Sequence, residues 1–238
     1  MIDYATASSI PLGDVSLFHV KICGITNPAD ARHACDAGAD AIGLNFYTKS
    51  LRSVTVEQAS QVLDACGSIA KVGVFVNQSP DEIIPLVKQL ELTHIQLHGD
   101  EQPDCLDALC SYPVIRAVRI PPAENSLEVV DRTQREIDRW ASAGVRSILL
   151  DAAADGHYGG TGHRLSWDLV PKLKCPVHLV LAGGLNRDNV SQAIRIAKPN
   201  AVDVASGVES FPGKKDLEQM SQFIDSAREQ FKRLHHGE

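Results

Sequence analysis

From Phe18 onward the chain repeats one unit, a short β-branched or apolar run followed by a longer segment of helical periodicity. That alternation calls for parallel strands joined by crossover helices. Eight strands are read: Val20 to Cys23, Ala41 to Phe46, Lys71 to Val76, His94 to Leu97, Val114 to Val118, Ser147 to Asp151, His178 to Leu181 and Ala201 to Ala205. Helices are expected at Pro28 to Gly38, Val56 to Cys66, from Ser79, briefly beyond Gln102, at Ser126 to Ala143, at Asn186 to Ala197 and at Lys215 to Leu234. Asn27 before Pro28, and Ser79-Pro80-Asp81-Glu82, carry the cap, proline and acidic residues of a helix start. Eight units without a break in composition predict an α/β fold of a single closed (β/α)8 barrel, with its active site at the C-terminal strand ends. An open doubly wound sheet shares the alternation, but no G-x-G-x-x-G follows the first strand. Residues 18–238 are read as one barrel catalytic domain. Residues 1–17 are read as an N-terminal extension of uncertain order, and they lack the basic and apolar runs of a secretory signal.

Composition narrows the function classes. The 238 residues are 44% hydrophobic and 22% charged, with no apolar run of membrane-spanning length. A net charge of −7 argues against nonspecific nucleic-acid binding. The six cysteines show no C-x-x-C pairs, which suits free thiols in a reducing cytoplasm. No Cys/His spacing suggests a metal, and no organic cofactor is implied.

Alternate strand residues share a face, so Lys21 and Cys23 should both enter the barrel interior. A lysine beside a thiol favours the reactive thiolate, although a small buried cysteine can also simply pack. The first and last strands are neighbours in a closed barrel, so Lys21 is expected to pair with Asp203. Residues converging on the mouth are Cys23, Arg52, Gln96, His98, Asp151, Gly183-Gly184 and Ser206-Gly207. Glycine-rich turns after the last two strands suit a phosphate, because backbone N–H groups can approach an anion there. Asp151 ends an apolar strand, where desolvation would favour the protonated form of a proton donor; its plainer reading is a turn cap. His98 is either a packed histidine or, with Gln96, a substrate contact. Arg52 is either a solvated charge or a bidentate grip on a carboxylate.

Lys21-Ile22-Cys23-Gly24-Ile25-Thr26 resembles the opening motif of the phosphoribosylanthranilate isomerase family of tryptophan biosynthesis. The likeness continues through Phe46 to Arg52, Val72 to Asn77, Ile95 to Glu101, Leu150-Asp151, Gly159 to Gly162 with Trp167, Leu181 to Leu185, Val202 to Glu209 and Pro212 to Asp216. The family is a one-domain TIM barrel. The resemblance implies an Amadori rearrangement of a phosphosugar anthranilate adduct, with Cys23 as general base and Asp151 as general acid. Arg52 would hold the anthranilate carboxylate. Gln96, His98, Gly160, Thr161, Gly162, Gly183, Gly184, Ser206 and Gly207 would bind the rest of the substrate. The protein would be a cytoplasmic monomer or homodimer needing no cofactor, metal, nucleic acid or membrane. A histidine-pathway aminoaldose isomerase, or a dual-substrate version, would carry an aspartate in place of Cys23; a noncatalytic phospho-ligand barrel would need neither Cys23 nor Asp151. Leu51 stands where the family has proline, Asn45 replaces an apolar residue, Ala152 replaces a hydroxyl residue, and His163-Arg164 is unusual after the glycine run. These departures bear on affinity and on ordering of the loops.

Overall fold

The computed structural model describes residues 18–121, 126–152 and 166–236. Eight parallel strands close into a barrel: β1 (Val20–Cys23), β2 (Ala41–Asn45), β3 (Ala70–Phe75), β4 (His94–Leu97), β5 (Val114–Ile120), β6 (Ser147–Ala152), β7 (His178–Leu181) and β8 (Ala201–Val204). Each strand pairs with the next, and β8 returns to β1 in the register Val20↔Val202, Lys21↔Asp203, Ile22↔Val204. The expected single closed barrel is therefore present, while the N-terminal extension, residues 1–17, lies outside the described residues. No helix among the described residues is long and apolar enough to cross a membrane.

The connections follow local chemistry. Helix α1 (Pro28–Asp36) starts where the Asn27 side chain accepts from Asp30 N–H, and α2 (Val56–Asp64) opens with a reciprocal Thr55/Gln58 box. At α3 (Pro80–Gln89) the Glu82 carboxylate accepts from both the backbone N–H and the hydroxyl of Ser79. A short α4 (Leu106–Leu109) and a long α5 (Leu127–Ser142) follow β4 and β5. After β6 the described connection is a 3-10 helix, Trp167–Lys172. Helix α6 (Val190–Ala197) begins four residues later than the sequence suggests. There Asn186 Oδ1 accepts from the N–H groups of Asp188 and Asn189, and Asn189 Oδ1 accepts from Asn186 N–H. These side chains offer the backbone a turn in place of a first helical turn. The chain closes with a small hairpin, β9 (Glu209–Phe211) and β10 (Lys214–Lys215), and α7 (Leu217–His236).

Burial divides by strand face. Val20, Ile22, Ile42, Leu44, Ile95, Leu97, Ile148 and Leu150 pack between strands and helices, whereas Ala41, Val72, Ile115, Ala117, Leu149, Val180 and Ala201 fill the interior with Phe18. The small residues at Ala41, Gly43, Ala117 and Ala201 leave space inside for a charged pair. Lys21 Nζ donates to Asp203 Oδ1 at 2.9 Å, as the strand adjacency predicts. Burial works to lower the Lys21 pKa, but Asp203 and Cys23 prevail and raise it.

Taking one member out of a buried pair strands the other charge, at a cost of about 3–5 kcal/mol, whereas replacing both with apolar groups is often neutral. Urea denaturation should therefore show Lys21→Met losing stability on that scale and Lys21→Met/Asp203→Val recovering most of it. Two losses that simply add would contradict the pairing.

Candidate active site

Cys23 closes β1 and faces the mouth on the same side as Lys21. Space for both comes from Gly43, where a Cβ would lie 2.8 Å from Cys23 Sγ and 3.0 Å from Lys21 Nζ. Burial pushes the Cys23 thiol above its ordinary pKa; Lys21 and Lys215 pull the other way without reversing it, and Asp203 adds to the rise. The expected thiolate-favouring influence of Lys21 is present, but desolvation outweighs it.

Arg52 sits in the loop after β2. Asn45 Oδ1 accepts from Tyr47 N–H, Asn45 Nδ2 donates to Ser50 Oγ, and Ser50 Oγ accepts from Arg52 N–H. Asn45, a departure from the family pattern, thus ties this loop together, while Leu51 points outward at 75% exposure. The Arg52 guanidinium is already engaged: Nε donates to Glu209 Oε1 at 2.8 Å and Nη2 to Glu209 Oε2 at 2.7 Å. Sequence reasoning anticipated a bidentate carboxylate here but not one supplied by the chain itself. Lys215, also missed, donates from Nζ to Glu209 Oε1, Cys23 O and Ala205 O. Desolvation would raise the Glu209 pKa, yet Arg52 and Lys215 hold it below the usual carboxylate value.

On the opposite side of the mouth, Gln96 Nε2 lies 2.9 Å from His98 Nδ1, and His98 Nε2 lies 3.2 Å from Asp151 Oδ2. With the amide so placed, Gln96 donates to Nδ1 and the ring donates from Nε2 to the carboxylate. Gln96 is 0% exposed, so it stands behind His98 rather than at the surface of the mouth. Gly99 and Glu101 fix the segment that follows: Glu101 accepts from Asn77 and Gly99 N–H, and its Oε2 meets Arg116 Nη1 at 2.5 Å. Arg116 lies 4.6 Å from the ring centroid of the buried Trp140 on α5. Arg119 is another residue missed. Strand β5 runs two residues beyond the expected Val118, which places Arg119 on the face of Ile115 and Ala117, in register with Asp151 and ion-paired with Asp100. Extending the Ile115, Ala117 alternation by one step would have found it.

The two glycine turns come together after β7 and β8. Gly183 and Gly184 both have positive φ, 80° and 69°, which favours glycine at each. A Cβ on Gly207 would lie 1.8 Å from Leu185 O, so the Ser206-Gly207 turn rests directly on the segment leaving β7. Gly160, Thr161 and Gly162 lie outside the described residues. The structure thus brings Cys23, Arg52, His98, Asp151, Gly183, Gly184, Ser206 and Gly207 to one end of one barrel.

Fold and site define a (β/α)8 barrel with a thiol, a carboxylate and two glycine turns at its C-terminal mouth. A family model described as N-(5'-phosphoribosyl)anthranilate (PRA) isomerase matches residues 20–226. The N-(5'-phosphoribosyl)anthranilate isomerase of Acidithiobacillus ferrooxidans is 41% identical over 216 residues, 89% of this chain and 98% of that protein. The Magnetococcus marinus protein of the same name is 43% identical over 210 residues, covering 88% and 94% of the two chains. Among solved structures, phosphoribosyl anthranilate isomerase from Thermotoga maritima superposes with a TM-score of 0.76 at 36% identity, over 90% of this chain and all of that one. Another, in complex with reduced 1-(o-carboxyphenylamino)-1-deoxyribulose 5-phosphate, gives 0.73 at 35% identity over 90% of this chain and 100% of that one. The chain belongs to the phosphoribosylanthranilate isomerase family.

The raised thiol pKa has a direct readout. Alkylation of Cys23 by iodoacetamide, followed by peptide mass spectrometry in the ligand-free protein, should still accelerate past about pH 8.5, where an unperturbed thiol titrates. A rate that levels off below that pH would show that Lys21 and Lys215 win over desolvation.

Proposed function

We propose that the protein catalyses the Amadori rearrangement of N-(5-phosphoribosyl)anthranilate to 1-(2-carboxyphenylamino)-1-deoxyribulose 5-phosphate in tryptophan biosynthesis. The observation that carries this reading is the placement of Cys23 and Asp151 at the C-terminal ends of β1 and β6, on one mouth of a closed barrel. Asp151, oriented by His98 through Oδ2, gives a proton to the furanose ring oxygen; the C1–O bond breaks and C1 becomes the carbon of a protonated Schiff base. Cys23, as thiolate, then takes the proton from C2, and the electron pair forms the C1=C2 bond of an enolamine. Loss of the O2 proton and gain of one at C1 give the aminoketone. The net change moves hydrogen from C2 to C1 and from O2 to the ring oxygen.

Each step uses a group suited to it. An acid at the ring oxygen and a base at C2, the two atoms flanking C1, are what proton relocation requires. The raised Cys23 pKa makes the thiolate scarce at neutral pH but strongly basic where it forms, with Lys21 and Lys215 supplying positive charge beside it. Arg52 receives the anthranilate carboxylate, the turns Gly183-Gly184 and Ser206-Gly207 receive the phosphate, and Gly160, Thr161 and Gly162 bind substrate from the loop behind the acid. Support for a cytoplasmic setting comes from the six cysteines, all unpaired. The reading takes the protein as a monomer or homodimer acting on a small phosphosugar.

The test is an enzyme-coupled fluorescence assay that follows loss of the anthranilate adduct. The unaltered protein should turn the adduct over. Cys23→Ala and Asp151→Ala should each lower kcat by about two orders of magnitude or more while remaining folded. Arg52→Ala should chiefly raise KM, because it removes binding already present in the ground state. Near-normal turnover in either of the first two variants would overturn their assignment as base and acid.

A further inference from the structure

A guanidinium offers two edges on which a carboxylate can accept parallel hydrogen bonds. In Arg52 the side edge, Nε and Nη2, is taken by Glu209 at 2.8 and 2.7 Å. The end edge, Nη1 with the remaining Nη2 hydrogen, is the one left to face a ligand. We propose that Glu209 is a positioning residue that aims the end edge of Arg52 at the substrate carboxylate, and that Lys215 keeps the resulting group net positive. This rests on the role of Arg52 in the function proposed above.

Glu209 is itself held from a second direction. Lys215 Nζ donates to Glu209 Oε1 at 2.8 Å, to Cys23 O at 2.7 Å and to Ala205 O at 3.0 Å, which uses all three of its hydrogens. The clamp is thereby anchored to the end of β1 and to the residue following β8. Its anchors are sealed, with the Lys215 and Glu209 side chains 0% and 3% exposed, while Arg52 keeps 11%. Gly24, at φ 72°, lets the arginine stem lie flat on the backbone: a Cβ there would be 2.6 Å from Arg52 Cδ. The guanidinium is thus fixed beside the residue that follows Cys23.

Charge explains why Lys215 belongs to the device. Arg52 and Glu209 alone would cancel, and a cancelled pair attracts no anion. Burial lowers the Lys215 pKa, with Glu209 and Cys23 opposing the shift; with Lys215 protonated, it and Arg52 outweigh Glu209 by one charge, and both keep the Glu209 carboxylate ionised. An arginine preset in this way loses little freedom when a planar aromatic carboxylate arrives. The carboxylate must approach end-on, which fixes the direction from which the anthranilate ring enters the mouth.

The experiment measures kcat and KM for Glu209→Gln alone and combined with Arg52→Ala, with thermal melts confirming folding. Glu209→Gln should raise KM by about tenfold with a smaller change in kcat, and should add nothing once Arg52 is alanine. Inhibition by a reduced product analogue lacking the ring carboxylate should not respond to the substitution. Glu209→Asp, which keeps the charge but withdraws it by one methylene, carries the same expectation should the glutamine variant not fold. An unchanged KM, or an equal rise in the Arg52→Ala background, would overturn the proposal and leave the proposed function standing. Absence of turnover by the unaltered protein would remove that function, and the role of Glu209 with it.

Discussion

Lys21 and Asp203 meet inside the barrel at the seam where the last strand returns to the first, 2.9 Å apart, with Lys21 fully buried and Asp203 nearly so. Much of the interior is arranged around them. Small residues on neighbouring strands make room, and the parallel register of β1 and β8 places the two side chains level. Either charge alone would be costly there, so the pair favours the one closure in which both are satisfied. The next inward position above Lys21 on β1 is Cys23. The interaction that closes the barrel therefore also places an ammonium beneath the proposed base.

Polar side chains above that level are handled in two ways. On one side of the mouth, Lys215, Glu209 and Arg52 form a chain of charges from the strand ends to the rim. On the other, Gln96, His98 and Asp151 form a chain of hydrogen bonds from the barrel wall to the proposed acid. Outside the strands, Arg116 ties Glu101 to Trp140 and so holds the turn that carries His98. Positions at the mouth are thus set by buried partners on rigid elements, which favours a preorganised site.

Strand positions were legible because an eightfold alternation of apolar runs and amphipathic segments has few folded solutions. Residues at strand ends followed from that, as did the Lys21–Asp203 pair, since closure makes the first and last strands neighbours. The misses have distinct physical causes. Strand β5 continues through Arg119 because pairing with β6 outlasts the apolar run. Helix α6 starts late because two asparagines divert the backbone into a turn. Glu209 lies far from Arg52 in sequence, and only the hairpin at the end of the barrel brings it there. For Cys23, the neighbouring lysine could be anticipated, but the degree of desolvation that overrides it depends on packing from other strands.

In the proposed reaction Cys23 and Asp151 act on the two atoms that flank C1 of one bound sugar, the base at C2 and the acid at the ring oxygen. A crystal structure of this protein with a reduced, unreactive product analogue tests it most directly. In that complex the phosphate should sit on the Gly183-Gly184 and Ser206-Gly207 turns, Cys23 Sγ about 3–3.5 Å from sugar C2, and the Asp151 carboxylate within hydrogen-bonding distance of the oxygen on C4, the former ring oxygen. An analogue seated with C2 turned away from Cys23, or with that oxygen out of reach of Asp151, would contradict it.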